Sequence, residues 1–405
     1  MITAGEDPAV LLYLLLIPAA LLAYVIAQGV RHGRRFTWIR EEFDPAAHGL
    51  PPLDALDPSR SGPPAPGYLV KERQAVADAA WSGDWRAAAA YAEAPGTDWD
   101  ARWDRLEVLQ HIAAEDDAWL TRWRAERPDS CDAATLHASL LVHRAWAVRG
   151  SAYAHKVPDA DMAQFHTLLP AAVKVAQDAA ALDPAHPGPW IVMTTAARGI
   201  QYSAGEFQQI WQELCARAPH HAAAHWQAMQ YWCAKWYGSD DTMLDFAASA
   251  VRYAPSGSLL AGLYLHALHE LETRNGSALS VVSKDAGKEL LTQVARALDE
   301  APQEHEDLPR LRHLLAHFLG KAGLYEAALD QFRLIGPWCG AYPWRHKDKN
   351  PVEEFHKARG YAAWMVTKGP GATARPAAPA GVGAAGPGGS GTGTATGAAG
   401  KPGAH

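Results

Sequence analysis

WSGDWRAAAAYAEAPGTDWDARW, residues 81 to 103, sets four tryptophans in two pairs, Trp81/Trp85 and Trp99/Trp103, each pair four residues apart. Side chains at i and i+4 share one face of an α-helix, so the spacing predicts broad apolar ledges on helices. The same spacing recurs at Trp119/Trp123 and Trp232/Trp236. A tryptophan can bury up to about 250 Å2, roughly 6 kcal/mol before entropy and desolvation are subtracted. Ledges of this kind suit a chain of helical units, none of which covers its own apolar stripe alone. The other reading is an aromatic groove for a peptide, since indole is enriched at binding hot spots. Packing is favoured, because most large aromatics are needed inside.

Outward from this stretch the helical pattern runs over residues 68–365. The segment is alanine-rich, with apolar residues at three- and four-residue steps, as in HTLLPAAVKVAQDAAALD and PRLRHLLAHFLGKAGLYEAALDQFRLI. No run of β-branched residues alternates strictly. Pro184, Pro219 and Pro255 recur at spacings of 35 and 36 residues, each between two helical stretches. A period near 34 reads as stacked helical hairpins, so the expected fold is all-α, an α-solenoid preceded by one transmembrane helix. Over 129–183 and 256–302 the spacing lengthens, which predicts degenerate repeats or insertions there.

These residues resemble the tetratricopeptide repeat. In that family a proline closes the second helix and an aromatic follows near the start of the next first helix; Pro184 with Trp190 matches, and Pro219 with Trp226 matches with one residue extra. GLYEAAL (Gly323, Tyr325, Ala328, then Phe332) and GDWRAA (Gly83, Asp84, Trp85, Ala88) fit the family's turn between helices. The layout also resembles an uncharacterised group of actinobacterial membrane-anchored helical proteins, through GDW, DWDARW and a repeated R-G-x-x-Y. That resemblance implies a fold and no activity.

Residues 8–27, PAVLLYLLLIPAALLAYVIA, carry no charge. At about 1.5 Å per residue they span about 30 Å, the thickness of a bilayer core, so residues 8–30 are expected to cross the lipid bilayer. A cleavable signal peptide is the rival; it needs a positive n-region, whereas Glu6 and Asp7 precede the apolar run. Arg31, Arg34 and Arg35 follow it. The positive-inside rule therefore leaves residues 1–7 outside the cell membrane and the body in the cytoplasm. Residues 31–67 read as a basic juxtamembrane segment and linker, with seven prolines in 44–67 suggesting an extended tether. Residues 366–405 are an Ala/Gly/Pro tail, too poor in apolar surface to fold.

Composition narrows the function classes. A net charge of -7 excludes a general nucleic-acid binder with a basic surface. Cys131, Cys215, Cys233 and Cys339 are scattered without metal or disulfide spacing, as in a reducing compartment. There is no phosphate-binding loop and no nucleophile elbow, and the lone G-x-G-x-x-G, at Gly381, Gly383 and Gly386, lies in the tail without a preceding strand. Among nineteen histidines, His220, His221 and His225, and His313 with His317, invite a metal reading, but no carboxylate or cysteine joins them at motif spacing. Capping or surface roles are expected, with no metal and no cofactor.

The candidate partner contacts come from an internal echo. AVRGSAY and AARGIQY place Arg149 four residues before Tyr153 and Arg198 four before Tyr202, which puts each pair on one helix face. The family resemblance implies that Arg198 lies near a concave surface that takes extended peptides or carboxylates, a role a guanidinium fork suits. The competing reading is a structural ion pair. Residues 84–132 hold twelve acids against six arginines, a solvated face or a lure for a basic partner. The loop 336–350, rich in tryptophan, tyrosine, arginine and lysine, reads as a cap or a binding site. Together these point to a membrane-anchored cytoplasmic scaffold for a protein or peptide, the alternative being an enzyme whose histidines and acids are gathered by the curvature of the array.

Overall fold

A computed structural model describes residues 33, 35, 37–150, 156–346 and 348–369. The predicted span 8–30, Arg31, Arg34, Tyr153 and the tail beyond 369 lie outside the described residues. Among those described, no helix is long and apolar enough to cross a membrane. Regular structure there is helical apart from one isolated bridge, Asp57 to Trp338.

The helices pair in succession: α1 (Gly67–Trp81) with α2 (Trp85–Glu93), α3 (Trp99–Glu115) with α4 (Ala118–Glu126), α5 (Cys131–Arg149) with α6 (Asp159–Leu182). There follow α7 (Gly188–Ile200) with α8 (Ala204–Arg217), and α9 (Ala222–Tyr231) with α10 (Asp240–Tyr253). Then come α11 (Leu263–Asn275), the short α12 (Ala278–Val282), α13 (Asp285–Glu300), the pair α14 (Leu308–Ala322) and α15 (Tyr325–Ile335), and a last helix, α16 (Pro351–Lys368). The first helix of each unit touches the first helix of the next: α1 on α3, α3 on α5, α5 on α7, α7 on α9, α9 on α11, α11 on α14, α14 on α16.

Local chemistry explains the boundaries. Asp84, Asp98, Ser130, Ser239 and Asn350 each cap the helix that follows by accepting a backbone N–H, and Ser203 does so in a capping box with Glu206. Pro184, Pro219 and Pro255 fall in the connections after α6, α8 and α10. The lengthened spacing at 129–183 is two long helices, and that at 256–302 accommodates the inserted α12.

The tryptophan pairs divide. Trp119 and Trp123 on α4 are each 1% exposed, and Trp123 stacks on Trp85 at 6.2 Å. On α3 Trp103 is buried and Trp99 half-buried. Trp81 and Trp85 do not share a helix face: α1 ends at Trp81, Gly83 turns the chain at φ +91°, and α2 begins at Trp85. Nor do Trp232 and Trp236, which lie in the turn after α9. Trp81 is 46% exposed and donates to the Ile112 carbonyl at 3.3 Å. Trp81→Ala is therefore expected to cost only about 1 kcal/mol in a denaturant titration, the worth of that bond; a loss of several kcal/mol would restore the ledge.

Residues 44–67 are not a free tether. They form a strap across the C-terminal hairpins. Asp57 N–H donates to the Pro337 carbonyl at 2.8 Å, Cys339 N–H to Asp57 O at 2.9 Å and Gly340 N–H to Arg60 O at 2.7 Å. The fully buried Arg359 donates to Pro51 O at 2.6 Å, and Arg333 to His48 O at 2.8 Å. Phe43, Leu50 and Leu56 belong to the same core as α10 to α16. Within that core the loop 336–350 folds back as a cap, placing Trp344 against Phe355 and Phe332. His313 joins strap to cap: it meets Ser61 O through Nε2 at 2.9 Å and accepts from the Trp344 indole through Nδ1 at 2.8 Å. After the strap, α1 begins beside the C-terminal half, where Arg73 makes a two-pronged pair with Glu306 at 2.9 Å.

Candidate functional site

The two echoed arginines converge on one indole. Arg149 is the last residue of α5 and Arg198 lies in the last turn of α7. The guanidinium carbons stand 5.5 Å and 5.1 Å from the centre of the Trp146 ring. Trp236 meets that ring edge-on at 5.8 Å and lies 5.8 Å from the Arg149 guanidinium, while Phe165 closes another side of Trp146 at 5.0 Å. Arg198 donates to Gln227 Oε1 at 2.7 Å, and its carbonyl accepts from the Tyr237 hydroxyl at 3.2 Å.

Among the described residues neither Arg149 nor Arg198 meets a carboxylate; their partners are aromatic faces, Gln227 and the Gly150 carbonyl. No ion pair among the described residues holds them. Burial pushes the Arg198 guanidinium down to about 10, which leaves it charged at neutral pH. Guanidinium over indole contributes about 0.5–2 kcal/mol and fixes the plane of the fork. The Trp146 Nε1 is a buried donor with no partner among the described residues.

Tyr202 of the echo does not join them, and Tyr153 lies outside the described residues. Helix α5 stops at Arg149 with Gly150 at φ +65°, and α7 stops at Ile200 with Gln201 in the left-handed region at φ +65°. A helix that ends between i and i+4 cannot place both on one face. Tyr202 instead lines a separate cavity of about 620 Å3 with Trp190, Gln177 and Gln209, and its carbonyl accepts from Tyr231 at 2.7 Å. Trp146, Gln227 and Trp236 are contributors the sequence analysis missed. Trp146 carried a signal, three residues before Arg149 on one helix face, whereas Gln227 and Trp236 reach the site only through packing of α9 and its following turn.

A histidine–acid constellation also forms, and it is consumed by the fold. Asp132, 3% exposed, receives Arg102 through both carboxylate oxygens and His186 Nε2 at 2.9 Å. His186 Nδ1 accepts the Gly188 backbone N–H at 2.9 Å, so both ring nitrogens are occupied at the start of α7. Burial raises the Asp132 carboxyl, but the bonds from His186 and Arg102 outweigh it and hold the group below its ordinary value. His221 caps α9 by accepting from Ala224 N–H, and His225 meets the His221 carbonyl at 2.9 Å. Both are buried, so a surface role does not apply to them. Among the described residues no group of three or more His, Cys, Asp or Glu is placed to hold a metal.

On α3, Asp104 is pushed up to about 7, first by desolvation and then by Glu107, Asp100, Asp307 and Glu306. Its surface is nonetheless open to solvent. Comparison with known proteins finds no matching family model, no matching curated protein and no matching solved structure.

Proposed function

We propose that this chain is a membrane-anchored scaffold whose tetratricopeptide-like solenoid captures a protein or peptide partner by a carboxylate, either a C-terminus or an acidic side chain. Residues 8–30 supply the anchor, residues 1–7 face outward, and the helical body works in the cytoplasm. The observation that carries the reading is the pair of guanidinium groups, Arg149 and Arg198, set against Trp146 and Trp236 without a carboxylate among the described residues. Charge-assisted bonds to such a fork contribute about 1.5–3 kcal/mol, and two parallel bonds add direction. The aromatic faces exclude water from those bonds, the arrangement common at binding hot spots. Succession of first helices, each on the next, is what the repeat resemblance implies.

The test is cross-linking of the full chain in native membranes, with quantitative recovery of captured proteins. Arg198→Ala is expected to lower recovery of the specific partner by roughly tenfold or more, and Arg198→Lys to rescue little, because an ammonium cannot reproduce the fork. Equal recovery by wild type and Arg198→Ala, with equal thermal stability, would remove the assignment. A C-terminal reporter active only outside the cell would remove the orientation.

A further inference from the structure

Where the strap crosses the C-terminal hairpins it forms one wall of an open cleft of about 550 Å3. Three separate elements bring arginines to its lining: Arg60 from the strap, Arg310 from α14 and Arg345 from the cap loop. None of the three is in an ion pair among the described residues, and the single carboxylate of the lining, Glu306, is engaged on both oxygens by Arg73. His269 adds a buried Nδ1 that has no hydrogen-bond partner among the described residues, with its ring 4.0 Å from that of Tyr342, another lining residue. Arg60 is near enough to Asp57 to help lower that carboxyl, and three arginines gathered at one concavity still concentrate positive field on an anion that enters.

We propose that this cleft binds a phosphorylated small molecule. Its phosphate is held by Arg60, Arg310 and Arg345, and its organic part lies against Leu314 and Tyr342. A carboxylate presents its acceptor sites in one plane and suits a single fork; a tetrahedral phosphate offers three outer oxygens to donors arriving from three directions. The volume falls in the range of small-molecule pockets, larger than bare phosphate requires. The cap loop then has two faces: Trp344 points into the core, while Tyr342 and Arg345 line the cleft.

Calorimetry of the full chain in detergent micelles, titrated with ADP and separately with citrate, tests the proposal. ADP is expected to bind saturably with one site per chain. Arg310→Gln and Arg345→Gln, both at exposed positions, should each weaken it about tenfold or more without moving the melting temperature. Lys174→Gln, in an exposed pair with Asp178 on α6, should leave it unchanged. Absence of ADP binding at millimolar concentration, citrate binding as tightly as ADP, or equal weakening by Lys174→Gln would each overturn it.

Discussion

A chain beginning at Tyr68 is expected to lose its C-terminal hairpins. Phe43, Leu50 and Leu56 are each less than a tenth exposed within the C-terminal core. Removing large buried apolar side chains costs about 2–5 kcal/mol each, so the three together approach the whole stability of an ordinary domain, about 5–15 kcal/mol. The strap's carbonyls at His48, Pro51, Arg60 and Ser61 leave with it. Among the described residues the buried Arg359 would keep only His356 as a hydrogen-bond partner. Far-UV circular dichroism and limited proteolysis should show residues beyond about α10 unfolded in this truncation, and folded in a chain that begins at Gly33. Identical melting curves for the two truncations would mean that the segment is a tether after all.

The strap should also loosen in acid. Burial pushes His313 down to about 4, partly opposed by its bond to Ser61. The folded value lies below the unfolded one, about 6.5, so the unfolded chain binds the extra proton between them. Stability from this group is therefore complete above about pH 6.5 and lost as pH falls toward 4.

Asp132→Ala is expected to cost about 3–5 kcal/mol in urea unfolding, the loss that follows when one partner of a buried charge pair is removed. Asp132 opens α5, and its partners come from α3 (Arg102) and from the turn entering α7 (His186), so one carboxylate ties three successive units. Without it, among the described residues, Arg102 keeps only the Gly96 carbonyl as a hydrogen-bond acceptor, and the His186 Nε2 has none. Asp132→Asn, which keeps an acceptor and loses the charge, should fall between. The folded value of Asp132 is depressed, so its contribution is present above about pH 4 and disappears as pH falls through the folded value; the alanine variant should lack that leg of the acid transition. A cost under about 1 kcal/mol would show that neighbouring groups or water replace the carboxylate.

The amino-acid sequence by itself determined what is decided within a turn or two of chain. The helical class, the breaks at Pro184, Pro219 and Pro255, and the caps at Asp84, Asp98 and Ser203 rest on backbone donors that find acceptors within about four residues. Arg149 and Arg198 were legible for the same reason, as a local echo. Tyr202 was misplaced because the left-handed Gln201 ends α7 between it and Arg198. Only the tertiary structure decided the rest. Proline removes an N–H but keeps its C=O, so a proline-rich stretch reads as unpaired while its carbonyls remain acceptors. At Pro51 and Ser61 those carbonyls meet donors 308 and 252 residues away. The cleft beside the strap and the indole between two arginines have the same origin, because side chains from distant elements become neighbours only when apolar faces close on each other.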